Sequence, residues 1–116
     1  MGQALWLDVS DSRWLDYLER SAAHDIYHTP AYHRLAALAG EGEPQLFVWQ
    51  EDEAFVALPL LLRPVAEVPG LEGETAIDAT SVYGYPGPVV SRAEVAPAMR
   101  RRFQAASWRA WGHAAW

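Results

Sequence analysis

The stretch Gln45–Arg63, with the sequence QLFVWQEDEAFVALPLLLR, decides the fold. Two β-rich runs flank the acidic tripeptide Glu51-Asp52-Glu53, a pattern that predicts an antiparallel hairpin with a solvated tip. Residues 58–62 are leucine except for Pro59, so the second strand is apolar on both faces and requires cover on both. Because proline cannot donate to a strand ladder, Pro59 predicts a bulge or a nitrogen that faces away from a partner strand.

Segments on either side of the hairpin complete the domain. Before it, the pattern predicts a short strand over 4–9 and a helix that is capped by Ser10 or Ser12 and ends near Ser21. A second helix is predicted with Thr29 as its N-cap, Pro30 at its first position and Gly40 as its stop. After it come a third β-like segment over 75–80, a loop over 81–88 and a helix over 93–112. This order predicts an α/β (α+β) fold in which residues 1–116 form one domain, with a mixed, mostly antiparallel sheet and about three helices.

The composition excludes several classes of function. With 15 acidic and 9 basic residues, the chain carries a formal net charge of -6, which disfavours DNA binding because phosphate contacts require a basic surface. Cysteine and lysine are both absent, so disulfides, cysteine-ligated zinc and lysine Schiff bases are ruled out. The N-terminal residues lack a signal-peptide pattern, and the longest apolar run, 54–62, is far shorter than the ~20 residues of a membrane span. These features predict a cytoplasmic protein without a membrane span.

The loop Ser81–Pro88 (SVYGYPGP) is the first candidate site. Its glycines and prolines predict a stiff, irregular backbone that displays Tyr83 and Tyr85, and tyrosine combines a flat apolar face with a hydroxyl. These tyrosines either belong to a binding site or pack as lids over the core. Asp78, just before the loop, is either a buried carboxylate beside the tyrosines or the cap of a turn.

Residues 25–33 (DIYHTPAYH) form the second candidate, at the entrance of the second helix. A helix N-terminus favours anions, so a phosphate or carboxylate could bind there. His24 and His28 are spaced like metal ligands, but no carboxylate pattern completes a set, and no metal is expected. The alternative is a capped helix whose Tyr27 and Tyr32 pack in the core while the histidines lie at the surface.

Three segments follow one another in an order that resembles one family. They are Asp25–Tyr32 (DIYHTPAY), the hairpin end Ala57–Leu60 (ALPL) and Asp78–Pro88 (DATSVYGYPGP). Together they resemble the N-terminal part of FemAB-like proteins, which belong to the GNAT acyltransferase superfamily, and the resemblance runs from about Leu5 to Phe103. The Tyr-Gly-Tyr-x-Gly-Pro loop after the leucine-rich hairpin is its most specific element.

The resemblance implies a partial GNAT-like fold and acyl or aminoacyl transfer to a small-molecule amine in cell-envelope or polysaccharide metabolism. The donor would be acyl-CoA or an aminoacyl-tRNA. The implied substrate site contains the loop residues Tyr83, Gly84, Tyr85, Gly87 and Pro88, to which we add Asp78, His28 and Tyr32 as further candidates. No catalytic residue is identified.

The resemblance also implies that part of the domain is missing. The superfamily binds the acyl-CoA pyrophosphate with a turn of the type R/Q-x-x-G-x-G/A at a helix N-terminus, and we expect no such turn, and hence no cofactor, in this chain. Four strands are predicted where a complete GNAT domain has roughly six or seven. The chain is therefore expected to be a truncated or frame-shifted product that is inactive alone. Its expected partner is either the missing C-terminal half or a second copy of the chain in a homodimer. The alternative is a non-enzymatic binding or interaction module.

Overall fold

The computed structural model describes residues 2–64, 66, 69–73, 77–82 and 86–111, the last four of these as backbone only. Five strands form one sheet, namely β1 (Gln3–Leu7), β2 (Glu43–Glu51), β3 (Ala54–Pro64), β4 (Ile77–Thr80) and β5 (Val89–Val90). Three α-helices accompany the sheet, namely α1 (Ser12–Arg20), α2 (Pro30–Leu38) and α3 (Pro97–Trp111). The mostly antiparallel α+β fold expected from the sequence is therefore confirmed.

The β2–β3 hairpin forms the centre of the sheet. Its register runs from Glu43 opposite Leu62 to Glu51 opposite Ala54, so all of β2 is paired. Asp52 in the turn adopts a positive φ of 54°, which aspartate tolerates better than most residues. Strand β1 pairs with the other side of β2, and the sheet order is β1-β2-β3-β4.

The outer side of β3 is divided between two short strands. β4 pairs with the end of β3, from Leu61 to Pro64, and β5 pairs with Val56 and Ala57. Among the described residues, the interval Leu58–Leu60 has no partner on this side. The break in pairing therefore falls at Pro59, which has no N–H to donate. The described residues between β4 and β5, which are 81–82 and 86–88, belong to no strand.

Both faces of β3 are covered, as its leucine-rich sequence requires. On one face, Trp14 and Leu18 of α1 are fully buried against Leu46 and Phe55 of the hairpin. Farther along that face, Ala36 of α2 packs with two buried residues, Leu61 and Val82. On the other face, Phe103 and Ala106 of α3 pack against Phe47 and Leu60. The sheet thus lies between α1 and α2 on one side and α3 on the other.

The helix boundaries follow local hydrogen bonding. At α1 the prediction of a serine cap is wrong, because the Asp11 carboxylate accepts the N–H of Arg13 at 3.0 Å. At α2 the prediction is confirmed, since the Thr29 hydroxyl accepts the N–H of Tyr32 at 3.2 Å and Pro30 begins the helix. Helix α3 begins at Pro97, four residues later than predicted, since proline fits the first turn of a helix.

An ion pair fixes α3 to the tip of the hairpin. Arg102 donates through Nε and Nη2 to the two carboxylate oxygens of Glu51, each at 2.6 Å. These hydrogen bonds hold the pKa of Glu51 at about 2, and the indole N–H of Trp49 donates to the same carboxylate at 2.7 Å. Within the described part of the chain, no helix combines the length and apolarity that a membrane crossing requires.

Candidate functional site

His28 joins the two candidate segments. It lies in a 3₁₀ turn, Ile26–His28, directly before α2, and its side chain is buried, with 5% of the residue exposed. Its Nε2 lies 3.0 Å from the carbonyl oxygen of Pro86, in the Tyr/Gly/Pro loop. On its other side, its backbone carbonyl accepts the indole N–H of Trp14 at 2.9 Å. The helix entrance and the loop, distant in sequence, are therefore adjacent in the fold.

The contacts of His28 fix its tautomer. The backbone N–H of Asp25 donates to Nδ1 at 3.0 Å, so Nδ1 carries the lone pair. The ring proton then resides on Nε2, which donates it to the Pro86 carbonyl. In return the Asp25 carboxylate accepts the N–H of Tyr27 at 2.8 Å, and Asp25 and His28 together form a capping box around the 3₁₀ turn. With both ring nitrogens engaged in this way, His28 positions the loop.

The C-terminus of α2 brings a carboxylate to the same region. Gly40 adopts a φ of +78°, and its N–H donates to the carbonyl of Ala37 at 3.0 Å, while the N–H of Glu41 donates to the carbonyl of Ala36 at 3.0 Å. These two bonds are those of a Schellman motif, which satisfies the last carbonyls of a helix. The prediction that Gly40 stops the helix is confirmed, and the motif holds the backbone of Glu41 against the helix end.

A groove of about 150 Å³ lies between α2 and the start of the loop. It is lined by Tyr32, Leu35, Ala36, Glu41 and Val82. The Tyr32 ring is oriented by an edge-on contact with Tyr27, whose ring centroid lies 4.9 Å away. The groove therefore has aliphatic walls, one aromatic ring and one carboxylate. Its volume is below the ~300–1,000 Å³ that drug-sized ligands occupy, so it fits one arm of a larger molecule.

His33, one turn into α2, is fully buried. Its Nδ1 lies 2.9 Å from the carbonyl oxygen of Thr29, to which it donates, and its ring packs beside Trp14 with centroids 5.1 Å apart. Its Nε2 is buried and has no hydrogen-bond partner among the residues that the structure describes. Burial lowers the pKa of His33 below its usual 6.5, because desolvation disfavours the charged imidazolium.

The structure corrects the interpretation of this helix entrance. The capped-helix alternative places the histidines at the surface, but of the three histidines near this entrance His28 and His33 are buried and His24 is exposed. The reason is that neighbouring backbone groups, the N–H of Asp25 and the carbonyl of Thr29, pair with ring nitrogens of the two buried residues. Tyr27 and Tyr32 are half-buried at the edge of the core rather than inside it.

The remaining predicted site residues are five residues of the loop and Asp78. Gly87 is half-buried and Pro88 exposed, beside Pro86, whereas Tyr83, Gly84 and Tyr85 lie outside the described residues. The half-buried carboxylate of Asp78 accepts from Arg63 Nη2 at 2.9 Å across the β3–β4 pair, and the tyrosines expected beside it lie outside the described residues. Asp78 therefore stabilises the sheet edge rather than lining the groove.

Glu41 is a residue of the groove that the sequence does not single out. In this part of the chain the pattern assigns a role to Gly40, as the end of the helix, and none to Glu41. The available signal was a carboxylate directly after a glycine stop, because a Schellman motif folds that residue back onto the last helical turn. The groove therefore combines one predicted residue, Tyr32, with one that had no assigned role.

The pyrophosphate turn also needs a correction. The letters R-x-x-G-x-A do occur, at Arg109–Ala114. However, the backbone from Arg109 to Trp111 forms the last residues of α3. The rest of this stretch, residues 112–114, lies outside the described residues.

Comparisons with known proteins assign no family. Among the described residues, no group of three or more histidine, aspartate or glutamate side chains could hold a metal ion. No family model matches the chain, and neither a curated protein nor a solved structure shows significant similarity to it.

Proposed function

We propose that this chain provides the acceptor side of an acyl or aminoacyl transfer to an amine, and that the groove beside α2 binds the aminoalkyl end of the acceptor. The observation that carries the proposal is the hydrogen bond from His28 to Pro86. It joins two of the three segments on which the resemblance to FemAB-like proteins rests. The groove is lined by Tyr32 of the first of these segments, by Val82 of the second and by Glu41.

The lining of the groove suits a protonated amine on a short alkyl chain. The Glu41 carboxylate attracts the ammonium, and the face of the Tyr32 ring adds a cation–π contribution. Leu35, Ala36 and Val82 supply aliphatic contacts for the methylene groups. Because the Tyr27 ring holds the Tyr32 ring and the Schellman motif holds the backbone of Glu41, part of the site is ordered before the ligand binds.

In the proposed reaction, the groove acts by placing the amine. The bound ammonium first loses one proton to solvent. The neutral amine nitrogen then forms a bond to the acyl carbon, the bond from that carbon to the sulfur or oxygen of the donor breaks, and the departing sulfur or oxygen takes up the second proton released by the nitrogen. Holding the acceptor in a fixed position converts a bimolecular encounter into an effectively unimolecular step. The donor site belongs to another chain or segment, and acetyl-CoA with this chain alone is expected to give no product.

Calorimetric titration with propylamine tests the proposal, with the uncharged N-propylacetamide as the comparison ligand. We expect saturable binding of propylamine only. Glu41→Gln should weaken it about three- to fivefold, since an exposed charge pair contributes up to about 1 kcal/mol. Glu19→Gln, which removes an exposed carboxylate from α1, is the matched control and should leave the affinity unchanged. Equal binding of both ligands, or no effect of Glu41→Gln, would contradict the proposal.

One observation favours the alternative, an interaction module. The outer side of α2 is apolar, with Leu35 63% and Leu38 85% exposed. Exposed aliphatic side chains in one stripe are typical of contact surfaces. Propylamine titration combined with sedimentation velocity separates the two functions. An interaction module that pairs with itself would associate with rising concentration and would not bind propylamine, whereas an acceptor-binding chain would bind propylamine in either oligomeric state.

A further inference from the structure

A second cavity, of about 190 Å³, lies at the tip of the β2–β3 hairpin. It is lined by Arg20 at the end of α1, by Glu53 and Phe55 of the hairpin, and by Ser91, Arg92 and Ala93 after β5. None of these residues lines the groove described above. Three separate segments therefore place two guanidinium groups and a carboxylate around one small space.

Arg20 is held in place before any ligand arrives. Its guanidinium carbon lies 4.5 Å from the centroid of the Tyr17 ring and 5.4 Å from that of Phe55. One of its nitrogens lies 3.0 Å from the Asp16 carboxylate. A guanidinium has five N–H donors, so this single contact leaves others for a ligand. The stacked arrangement reduces the side-chain entropy that binding would otherwise remove.

The backbone that carries Arg92 is also tethered. The Ser91 N–H donates to the carbonyl of Phe55 at 3.0 Å, and the Ser91 hydroxyl accepts the N–H of Phe55 at 3.0 Å. The same hydroxyl donates to the carbonyl of Ala93 at 2.8 Å. Arg92 itself is exposed and forms no ion pair with any described residue. Its charge is therefore available to a ligand.

Glu53 determines which kind of ligand fits the cavity. Glu53 is exposed and, within the described part of the chain, is not part of any ion pair. Its carboxylate repels a ligand that carries only negative charge, although the two arginines attract one. A ligand with a carboxylate and an ammonium on neighbouring atoms satisfies both, since the guanidiniums bind the carboxylate and Glu53 binds the ammonium.

We propose that this cavity binds a small zwitterion of the α-amino acid type, with its carboxylate between Arg20 and Arg92 and its ammonium at Glu53. The lining residues supply charges of both signs, and Phe55 supplies an apolar surface for a small side chain. The volume limits the ligand to a single small amino acid, because larger ligands occupy pockets of ~300 Å³ and above.

Titrations of the isotope-labelled protein with L-alanine, propionate and propylamine, followed by NMR, test the proposal. We expect L-alanine to shift the amide signals of residues 91–93 saturably, and to bind at least about fivefold more tightly than either single-charge ligand. Arg92→Gln should weaken L-alanine about tenfold, as expected for the loss of a hydrogen bond between charged groups. Arg101→Gln, an exposed arginine on α3, is the matched control.

The Glu53→Gln variant provides the decisive comparison. It should weaken L-alanine and strengthen propionate, because it removes both the partner of the ammonium and the repulsion of the anion. Binding of L-alanine should not depend on Glu41. Failure of the amino-acid proposal for this cavity can therefore be distinguished from failure of the amine proposal for the groove beside α2. Absence of shifts at residues 91–93 in the wild-type protein, or equal affinity for L-alanine and propionate, would overturn the proposal even if a variant failed to fold.

Discussion

Replacement of His28 tests how the candidate loop is held. The side chain makes two hydrogen bonds of 3.0 Å, one with the N–H of Asp25 and one with the carbonyl of Pro86, and it is buried. Each bond contributes about 1 kcal/mol net, and leaving a buried partner unpaired adds to that cost. We therefore expect His28→Ala to lower the free energy of unfolding by about 2–4 kcal/mol.

Two further variants separate the two bonds. In His28→Asn, the amide oxygen replaces Nδ1 as acceptor for the N–H of Asp25, but the side chain is too short to reach Pro86. In His28→Gln, the amide nitrogen reaches toward the Pro86 carbonyl, while the acceptor for Asp25 is lost. Each should cost about 1–2 kcal/mol, with the two losses together close to that of His28→Ala.

Urea denaturation followed by tryptophan fluorescence gives these free energies, since Trp14 is fully buried beside the site. His24→Ala, at an exposed histidine of the same segment, should lie within about 0.5 kcal/mol of the wild type. The amide signals of Gly87 should move in His28→Asn and remain in place in His24→Ala. A His28→Ala protein as stable as the His24→Ala control would refute the role of His28 as the link between helix and loop.

Two other predictions concern stability. Because burial lowers the pKa of His33, the unfolded chain binds a proton at a pH where the native chain does not. The free energy of unfolding should therefore fall as the pH decreases below about 6.5. His33→Asn should flatten this pH dependence in urea titrations at several pH values, and an unchanged slope would contradict the prediction. Gly42 has a φ of +143°, and a Cβ there would lie 3.0 Å from Cβ of Leu61 and 3.1 Å from the carbonyl oxygen of Leu62. Gly42→Ala should therefore lower the free energy of unfolding by about 1–3 kcal/mol, which a lower melting temperature would reveal. Gly73→Ala, at a glycine with open space around it, should leave the melting temperature unchanged.

Much of the fold could be predicted from local sequence. The hairpin follows from two apolar runs around an acidic turn, and its register uses all of β2. The leucines of β3 indicated cover on both faces, and α1, α2 and α3 supply it. Thr29, Pro30 and Gly40 marked the ends of α2 because their backbone preferences act over a few residues.

The candidate sites were harder to predict because they depend on contacts between distant segments. Nothing in the composition shows that His28 reaches Pro86, and a polar residue at a helix entrance is usually exposed. Glu41 belongs to the groove only because the helix end folds it back. Arg20 and Arg92 face one cavity because Ser91 pairs with the start of β3, a contact that the sequence does not indicate.

The most direct test of the proposed function is to locate a bound amine in the groove. Intermolecular nuclear Overhauser effects between propylamine and the protein report protons that lie close together. Our account predicts contacts from the propyl chain to the methyl groups of Val82 and the ring of Tyr32, and their loss in Glu41→Gln at the same ligand concentration. Contacts confined to other surfaces, or contacts that persist unchanged without the Glu41 carboxylate, would contradict it.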